Sequence, residues 1–375
     1  MAMKNVMGII YTGERDSYLR ELTLMRAIAA LPVAGRYRVI DFLVSGLVNS
    51  GVKNVGVIMQ KNYHSLMDHL GSGKEWDLHG KNDGLYILPP FLTRENVGVY
   101  SGSLDALHSN FGYIRRSKQE YVLLCNSLIV FNANFNGMLE AHQRSGADVT
   151  IMYTRNPDMR RPEYGIYFDV SDEGIITDVE IDPTRPLYDN TCMEVFLLRK
   201  DLLMDLVDRG SAHGYHDLTR DVFQRMIRDA GMRVGGYEYT DVCYRMDSVQ
   251  GYFKFNLDVI DPKIRHALFT EDKPVYTKVR DELPARYLEN AHVVNSMVAD
   301  GCIVDGTVEH SVLFRGVKIA KGAVIKNCVI MQDSQIEEGV RLENCILDKQ
   351  AVIKRDGKLI GPSTYPIVIS KDMTI

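Results

Sequence analysis

No apolar run in this chain approaches the ~20 residues that a membrane-spanning helix needs, so a spanning helix is not expected. The N-terminal residues lack the long apolar region and small-residue cleavage site of a signal peptide, and the expectation is a cytoplasmic chain. Basic excess is also missing: 44 Lys+Arg face 49 Asp+Glu, for a net charge of −5. A mildly acidic chain is a poor general nucleic-acid binder. The six cysteines, Cys125, Cys192, Cys243, Cys302, Cys328 and Cys345, form no Cys-x-x-Cys pair and have no accompanying His cluster. They read as buried, reduced thiols rather than as a disulfide framework or a zinc site. With 45% apolar and 25% charged residues, disorder is excluded, and 375 residues predict about two domains.

Two patterns share the chain. Up to about residue 260, strand-like runs (Val6–Tyr11, Asn54–Met59, Tyr121–Phe131, Val149–Tyr153) alternate with helical stretches (Ser45–Ser50, Leu104–Arg116, Asp217–Asp229). That alternation predicts an α/β domain, a mainly parallel sheet covered on both faces. After about residue 285 helical periodicity stops. Two six-residue ladders appear, Leu313, Ile319, Ile325, Met331 and Val324, Ile330, Ile336, Leu342, with Gly316 and Gly322 also six apart. A six-residue period predicts a left-handed parallel β-helix of hexapeptide repeats, each hexad turning one aliphatic side chain inward. The expected layout is an α/β domain over 1–260, a Pro-containing linker over 261–290 and the β-helix over 291–375.

Several stretches carry a family resemblance. Gly35-Arg-Tyr-Arg-Val-Ile-Asp-Phe42 with Val48-Asn-Ser-Gly51, Gly73-Lys-Glu-Trp-Asp-Leu78 with Leu88-Pro-Pro90, and Gly102-Ser-Leu-Asp-Ala106 are similar to segments of the ADP-glucose pyrophosphorylases. These are the glucose-1-phosphate adenylyltransferases of glycogen and starch synthesis. His216-Asp217 and Tyr252-Phe-Lys-Phe-Asn-Leu-Asp258 also fit, and the resemblance covers nearly the whole chain. It implies a nucleotidyltransferase, Rossmann-like mixed sheet ahead of the β-helix. The family joins ATP to glucose-1-phosphate with release of pyrophosphate. That chemistry needs a Gly-rich loop for the triphosphate, cations to offset its charge and two carboxylates for Mg²⁺.

Against this requirement the chain departs repeatedly. The family's Leu-Ala-Gly-Gly-x-Gly-x-Arg-Leu is here Tyr11-Thr-Gly-Glu-Arg-Asp-Ser-Tyr-Leu19. Gly13 remains, Glu14 and Asp16 replace the other glycines, and Tyr18 replaces the Arg. Ile28 stands in place of a Lys. Asn126 takes the position of the first metal Asp and Arg245 that of the second, with Asp247 two residues on. At the sugar-phosphate Lys the chain has Ile181 or Asp182, with Arg185 nearby. Glu194 replaces a Gly beside the sugar. Each loss is worth on the order of 2–4 kcal/mol of transition-state stabilisation, so the chain is expected to lack its own catalytic residues and metal.

The pattern resembles the GlgD-type, non-catalytic subunits. That resemblance implies a regulatory partner for a catalytic, GlgC-type subunit in a heterotetramer, with Mg²⁺ on the catalytic partner. It implies no membrane or nucleic-acid partner. Gly13, Gly102 and Asp105 would line a vestigial nucleotide or sugar pocket. Arg26, Arg36 and Arg38 would form an anion site for a sugar-phosphate effector, the alternative being structural salt bridges from Arg36 and Arg38 to Asp41. A self-sufficient adenylyltransferase using Asp247, Asp105 and Arg185 as displaced ligands stays open. A hexapeptide acyltransferase would have only His292 or His310 as its base.

Overall fold

The computed structural model describes residues 3–13, 18–90, 100–228 and 231–375. The chain divides into two compact units that do not follow the sequence order. The first comprises Met1–Glu14, Phe42–Tyr244 and Glu271–Tyr276; the second comprises Arg15–Asp41, Arg245–Thr270 and Thr277–Ile375.

The first unit is built on a mixed sheet of β1 (Val6–Tyr11), β2 (Val55–Ile58), β3 (Leu85–Leu88), β4 (Tyr121–Asn126), β5 (Val149–Thr154), β6 (Ile166–Val170), β7 (Ile176–Ile181), β8 (Asn190–Arg199) and β9 (Val234–Glu238). The order is β7-β6-β8-β4-β1-β2-β3, with β5 pairing β8 and β9. Strands β1, β2 and β4 are buried at nearly every position. They therefore read as continuous Val/Ile/Leu runs, as parallel strands covered on both faces do. β1 pairs parallel with β2 on one side and β4 on the other, so it is where the order reverses. Open α/β sheets bind ligands outside the strand carboxyl ends at such a point. β8 runs antiparallel to β4 and brings its middle beside that end, Val195 opposite Cys125. The run read as one strand over Tyr121–Phe131 is two, broken after Asn126. The helix read over Leu104–Arg116 is also two, Ser103–Ser109 and Phe111–Arg116.

In the second unit, parallel strands stack in register around a closed core. Val308, Ile325, Leu342 and Leu359 form one column, and Val304, Ile319, Ile336 and Ile353 another. The six-residue reading is modified here. The buried series runs Leu313, Ile319, Ile325, Ile330, Ile336, Leu342, Leu347, Ile353, and two of its steps are five residues. The short steps cross Asn327 and Asn344, which take left-handed backbone (φ +48° and +52°) and turn the chain sharply. Asn tolerates that region better than most residues. Consequently Val324 is 38% exposed, and Met331 leaves the interior column for Ile330. All six cysteines are buried and unpaired, as read.

The 261–290 segment is not a plain linker. Asp261 accepts a hydrogen bond from the Lys263 N–H (2.8 Å) and starts a helix at Pro262, Pro262–Leu268. Residues 271–276 hold to the first unit: the Ser45 hydroxyl accepts from the Tyr276 N–H (2.9 Å), and Asn132 Nδ2 donates to the Lys273 carbonyl (2.7 Å). Arg286–Tyr287 already pairs with Ile303–Val304 as part of the β-helix. Residues 18–41 and 245–260, expected with the α/β domain, belong to the second unit. There Tyr252 Oη donates to the Pro32 carbonyl (2.6 Å), and the Ala34 N–H donates to Asn256 Oδ1 (3.0 Å). Helix Val249–Asp258 packs on strand Val324–Ile330, where Val312, Val329 and Ile346 form a fully buried outward row.

Candidate functional site

The carboxyl ends of β1 and β4 meet the middle of β8 in the first unit, with Tyr11 opposite Asn126 and Val195 opposite Cys125 in register. Gly13 follows β1, and the space on its Cβ side is occupied. A methyl group placed there would lie 2.7 Å from the Tyr11 ring and 2.8 Å from the Gln60 amide. Tyr11 is 5% exposed, and Gln60 Nε2 donates to its hydroxyl. The space that a glycine opens is therefore filled by two side chains of the protein. Sequence reasoning missed both residues, although Tyr11 standing where the family has Leu was the available signal. Glu14 and Asp16 lie outside the described residues.

Asn126 ends β4, and its Nδ2 donates to Glu194 Oε2 at 2.8 Å. Its Oδ1 is buried without a hydrogen-bond partner among the described residues. Glu194 sits in an irregular stretch of β8, where the register to β5 slips between Cys192 and Phe196. Its φ is +55°, a left-handed value that a Gly adopts freely and a Glu does not. The carboxylate lost at 126 has thus been replaced by one on the neighbouring strand, and it is engaged by the amide. Mg²⁺ needs several oxygen ligands. Among the described residues, a single carboxylate there, hydrogen-bonded to an amide N–H, does not fit that ion. Among the described residues no group of three His, Cys, Asp or Glu could hold a metal.

Other sequence candidates are engaged elsewhere. Asp182, at φ +50°, forms an ion pair with Arg220, a cation that the sequence did not single out. That guanidinium offsets the negative charge that Asp182 carries. Arg185 is exposed and forms no ion pair with a described residue. Asp105 accepts the Ser101 N–H (2.9 Å) at the start of helix Ser103–Ser109. Gly102 serves close packing: a Cβ there would stand 2.2 Å from the His216 carbonyl, which also accepts the Leu104 N–H.

In the second unit, Tyr18 is 38% exposed and Ile28 is buried. Arg245 Nε donates to Asp247 Oδ2 at 2.6 Å, both side chains about 95% buried. Freeing Asp247 for a metal would break this buried ion pair. His310 turns a corner at φ +43°, its Nδ1 3.0 Å from Asn327 Oδ1.

The three candidate anion-site arginines divide by role. Arg26 is 3% exposed and bonds Asp348 Oδ1 at 2.8 Å. Arg36 is exposed and forms no ion pair with a described residue, so the Arg36–Asp41 salt bridge is not formed. Asp41 Oδ2 instead accepts the Arg38 backbone N–H (2.8 Å). Three more cations join them. Burial and the charges of Arg38, Arg26 and Arg280 push the half-buried Lys349 ammonium down to about 7, against the opposing pull of Asp348. Burial, with Arg280 and Arg36, also depresses Arg315, while Glu282 and Asp333 oppose this. Lys349, Arg280 and Arg315 lie far from Arg36 in sequence, which is why motif reading did not find them.

The Lys349 shift predicts a pH effect on stability. Between about pH 7 and the ordinary lysine range the unfolded chain holds a proton that the folded chain has released. Stability from this group therefore rises as pH rises through that window and falls on acidification. Lys349→Met is expected to flatten that part of the pH profile, read as melting temperature from pH 6 to 9.

The nucleotidyl transferase model matches residues 7–239, and a model described as GlmU-like, C-terminal hexapeptide matches 283–364. A protein of Bacillus subtilis (strain 168) named glycogen biosynthesis protein GlgD is 34% identical over 374 residues, spanning 100% of this chain and 98% of its own length. The chain belongs to the nucleotidyl transferase family, as a GlgD-type member. A second GlgD, from Geobacillus stearothermophilus, is 36% identical over 85% of this chain and 82% of its own. A glucose-1-phosphate adenylyltransferase from the same organism is 32% identical over 86% and 84%. Among the described residues of this nucleotidyl transferase chain, no helix is long and apolar enough to cross a membrane.

Proposed function

We propose that this chain acts in glycogen biosynthesis as a regulatory partner of a glucose-1-phosphate adenylyltransferase and is poorly active or inactive alone. The Asn126–Glu194 pair carries the reading. It sits at the switch point of the sheet and engages the Glu194 carboxylate there. Tyr11 and Gln60 packed on Gly13 support it, because they occupy the space over the backbone that a triphosphate would need. The displaced-ligand alternative loses support, since Asp105 and Asp247 already hold structural partners.

On this reading Mg²⁺ belongs to the catalytic chain, and the two chains assemble as a heterotetramer. Enhancement works by population shift: this chain binds the active conformer of its partner more tightly than the inactive one. A sugar-phosphate effector is read by the Arg26, Arg36, Arg38, Arg280, Arg315 and Lys349 cluster, whose cations bear on Lys349 and Arg315.

The test is ADP-glucose synthesis by this chain alone, by the catalytic subunit alone and by the two mixed. The chain alone is expected to run at least about 10³-fold below the catalytic subunit, the loss that two missing charge-stabilising groups would give. The mixture is expected to exceed the catalytic subunit alone. Turnover by the purified chain comparable to the catalytic subunit would overturn the proposal.

A further inference from the structure

Four sharp corners stack along one edge of the β-helix. Asn295, His310, Asn327 and Asn344 each take left-handed backbone, at φ +42°, +43°, +48° and +52°. The residue after each corner is small and carries a polar atom: Ser296, Ser311, Cys328 and Cys345. These four stand above one another, since Met297 pairs with Val312, Val312 with Val329, and Cys328 with Cys345. Ser311, Cys328 and Cys345 are fully buried, and Ser296 is half-buried.

Each side chain donates to the carbonyl two residues before it. Ser296 Oγ reaches Val294 (2.8 Å), Ser311 Oγ reaches Glu309 (2.7 Å), Cys328 Sγ reaches Lys326 (3.1 Å) and Cys345 Sγ reaches Glu343 (3.2 Å). The same atom accepts an N–H from the coil above. The Ser311 N–H donates to Ser296 Oγ (3.1 Å) and the Cys328 N–H to Ser311 Oγ (3.0 Å). The Cys345 N–H bonds Cys328 Sγ in turn. A left-handed corner carries a backbone cost for any residue but glycine, and a buried N–H needs a partner. One hydroxyl or thiol per coil supplies that partner and ties the corner to its own carbonyl.

The residue after each rung points the other way. Val312, Val329 and Ile346 form the buried outward row on the face where helix Val249–Asp258 packs. That helix in turn holds Pro32 and Ala34 through Tyr252 and Asn256.

We propose that the Ser296–Ser311–Cys328–Cys345 column is a one-way hydrogen-bonded ladder that holds these corners closed, and that Ser311 and Cys328 thereby act as positioning residues for helix Val249–Asp258 and the segment around Pro32 and Ala34. Each rung serves the amide of the coil above it and not that of the coil below. Replacing a rung by alanine, which fits the space, therefore breaks the ladder at one defined amide.

Amide hydrogen exchange of the full chain, read by mass spectrometry with residue-level fragmentation, follows each rung. Ser311→Ala is expected to speed exchange of the Cys328 amide about tenfold, as loss of one hydrogen bond would, and to leave the Ser311 amide unchanged. Exchange in helix Val249–Asp258 should rise severalfold. Ser296→Ala should act in the same way on the Ser311 amide and spare Cys328. Its half-buried site keeps the test open should Ser311→Ala fail to fold. Ser311→Cys should restore protection at Cys328. Helix His64–Leu70 of the first unit is the control and should not change, and circular dichroism confirms folding. A uniform rise over all coils, or an unchanged amide above the missing rung, overturns the ladder. Faster exchange at Cys328 with none in helix Val249–Asp258 overturns the positioning role and leaves the ladder standing.

Discussion

Asp348→Ala is expected to destabilise the second unit by about 3–5 kcal/mol, the cost of stranding a buried charge. Arg26 is 3% exposed and Asp348 2%, so the guanidinium has little access to water once its carboxylate is removed. Two hydrogen bonds go with it, from Arg26 NH1 and from the Lys349 N–H. The surrounding charges make the loss worse, because Asp348 opposes the positive potential that Arg38, Arg26 and Arg280 set up around Lys349. Asp348→Asn should cost less, since it keeps an acceptor and loses only the charge. The paired change Arg26→Met with Asp348→Leu should cost least, because no charge is left buried. Urea unfolding followed by far-ultraviolet circular dichroism reads all three. An unfolding midpoint in Asp348→Ala equal to that of the native chain would show that the pair contributes nothing.

The same pair shows where the sequence stops being readable. Arg26 and Asp348 are 322 residues apart, and neither lies in a pattern that names the other. Local signals fared better. Unbroken apolar runs marked β1, β2 and β4 because parallel strands bury both faces. The six-residue period marked the β-helix because each coil turns aliphatic side chains to a shared axis. The exact phase did not survive, since the Asn327 and Asn344 corners remove a residue from the step. Proline misled in the 261–290 segment, where Asp261-Pro262 starts a helix rather than ending order. At the site, losses were legible and compensations were not. A motif shows directly that Asn126 is no longer Asp and that residue 194 is no longer Gly. It does not show that the two residues touch, that Arg220 pairs with Asp182, or that Tyr11 and Gln60 close over Gly13. Those facts belong to strand order and register.

The contact between residues 126 and 194 makes the last prediction, a double-mutant cycle. Asn126→Asp alone would set a second carboxylate 2.8 Å from the first, in place of an N–H donor. One of the two acids would then have to keep its proton, raising the apparent value of the pair above an ordinary carboxylate. The sign follows from linkage: a folded-state value raised above the unfolded one favours the folded chain at low pH. That stability is lost as pH rises through about 4 and beyond. At pH 7 the cost should be about 2 kcal/mol for this half-buried pair. Glu194→Gly alone removes the left-handed strain, a gain of about 1 kcal/mol. It also leaves the Asn126 amide without its acceptor, a loss of about the same size, so the single change should be near neutral. In the double variant the repulsion has no second partner. The two changes together should therefore cost about 2 kcal/mol less than the sum of the singles. Additive single effects in urea unfolding at pH 7 would mean the carboxylate did not move from one strand to the other in any energetic sense. Coupling of the expected size would mean it did. The double variant should still fail to synthesise ADP-glucose alone, because Tyr11 and Gln60 remain packed against Gly13 and no second metal carboxylate has been supplied.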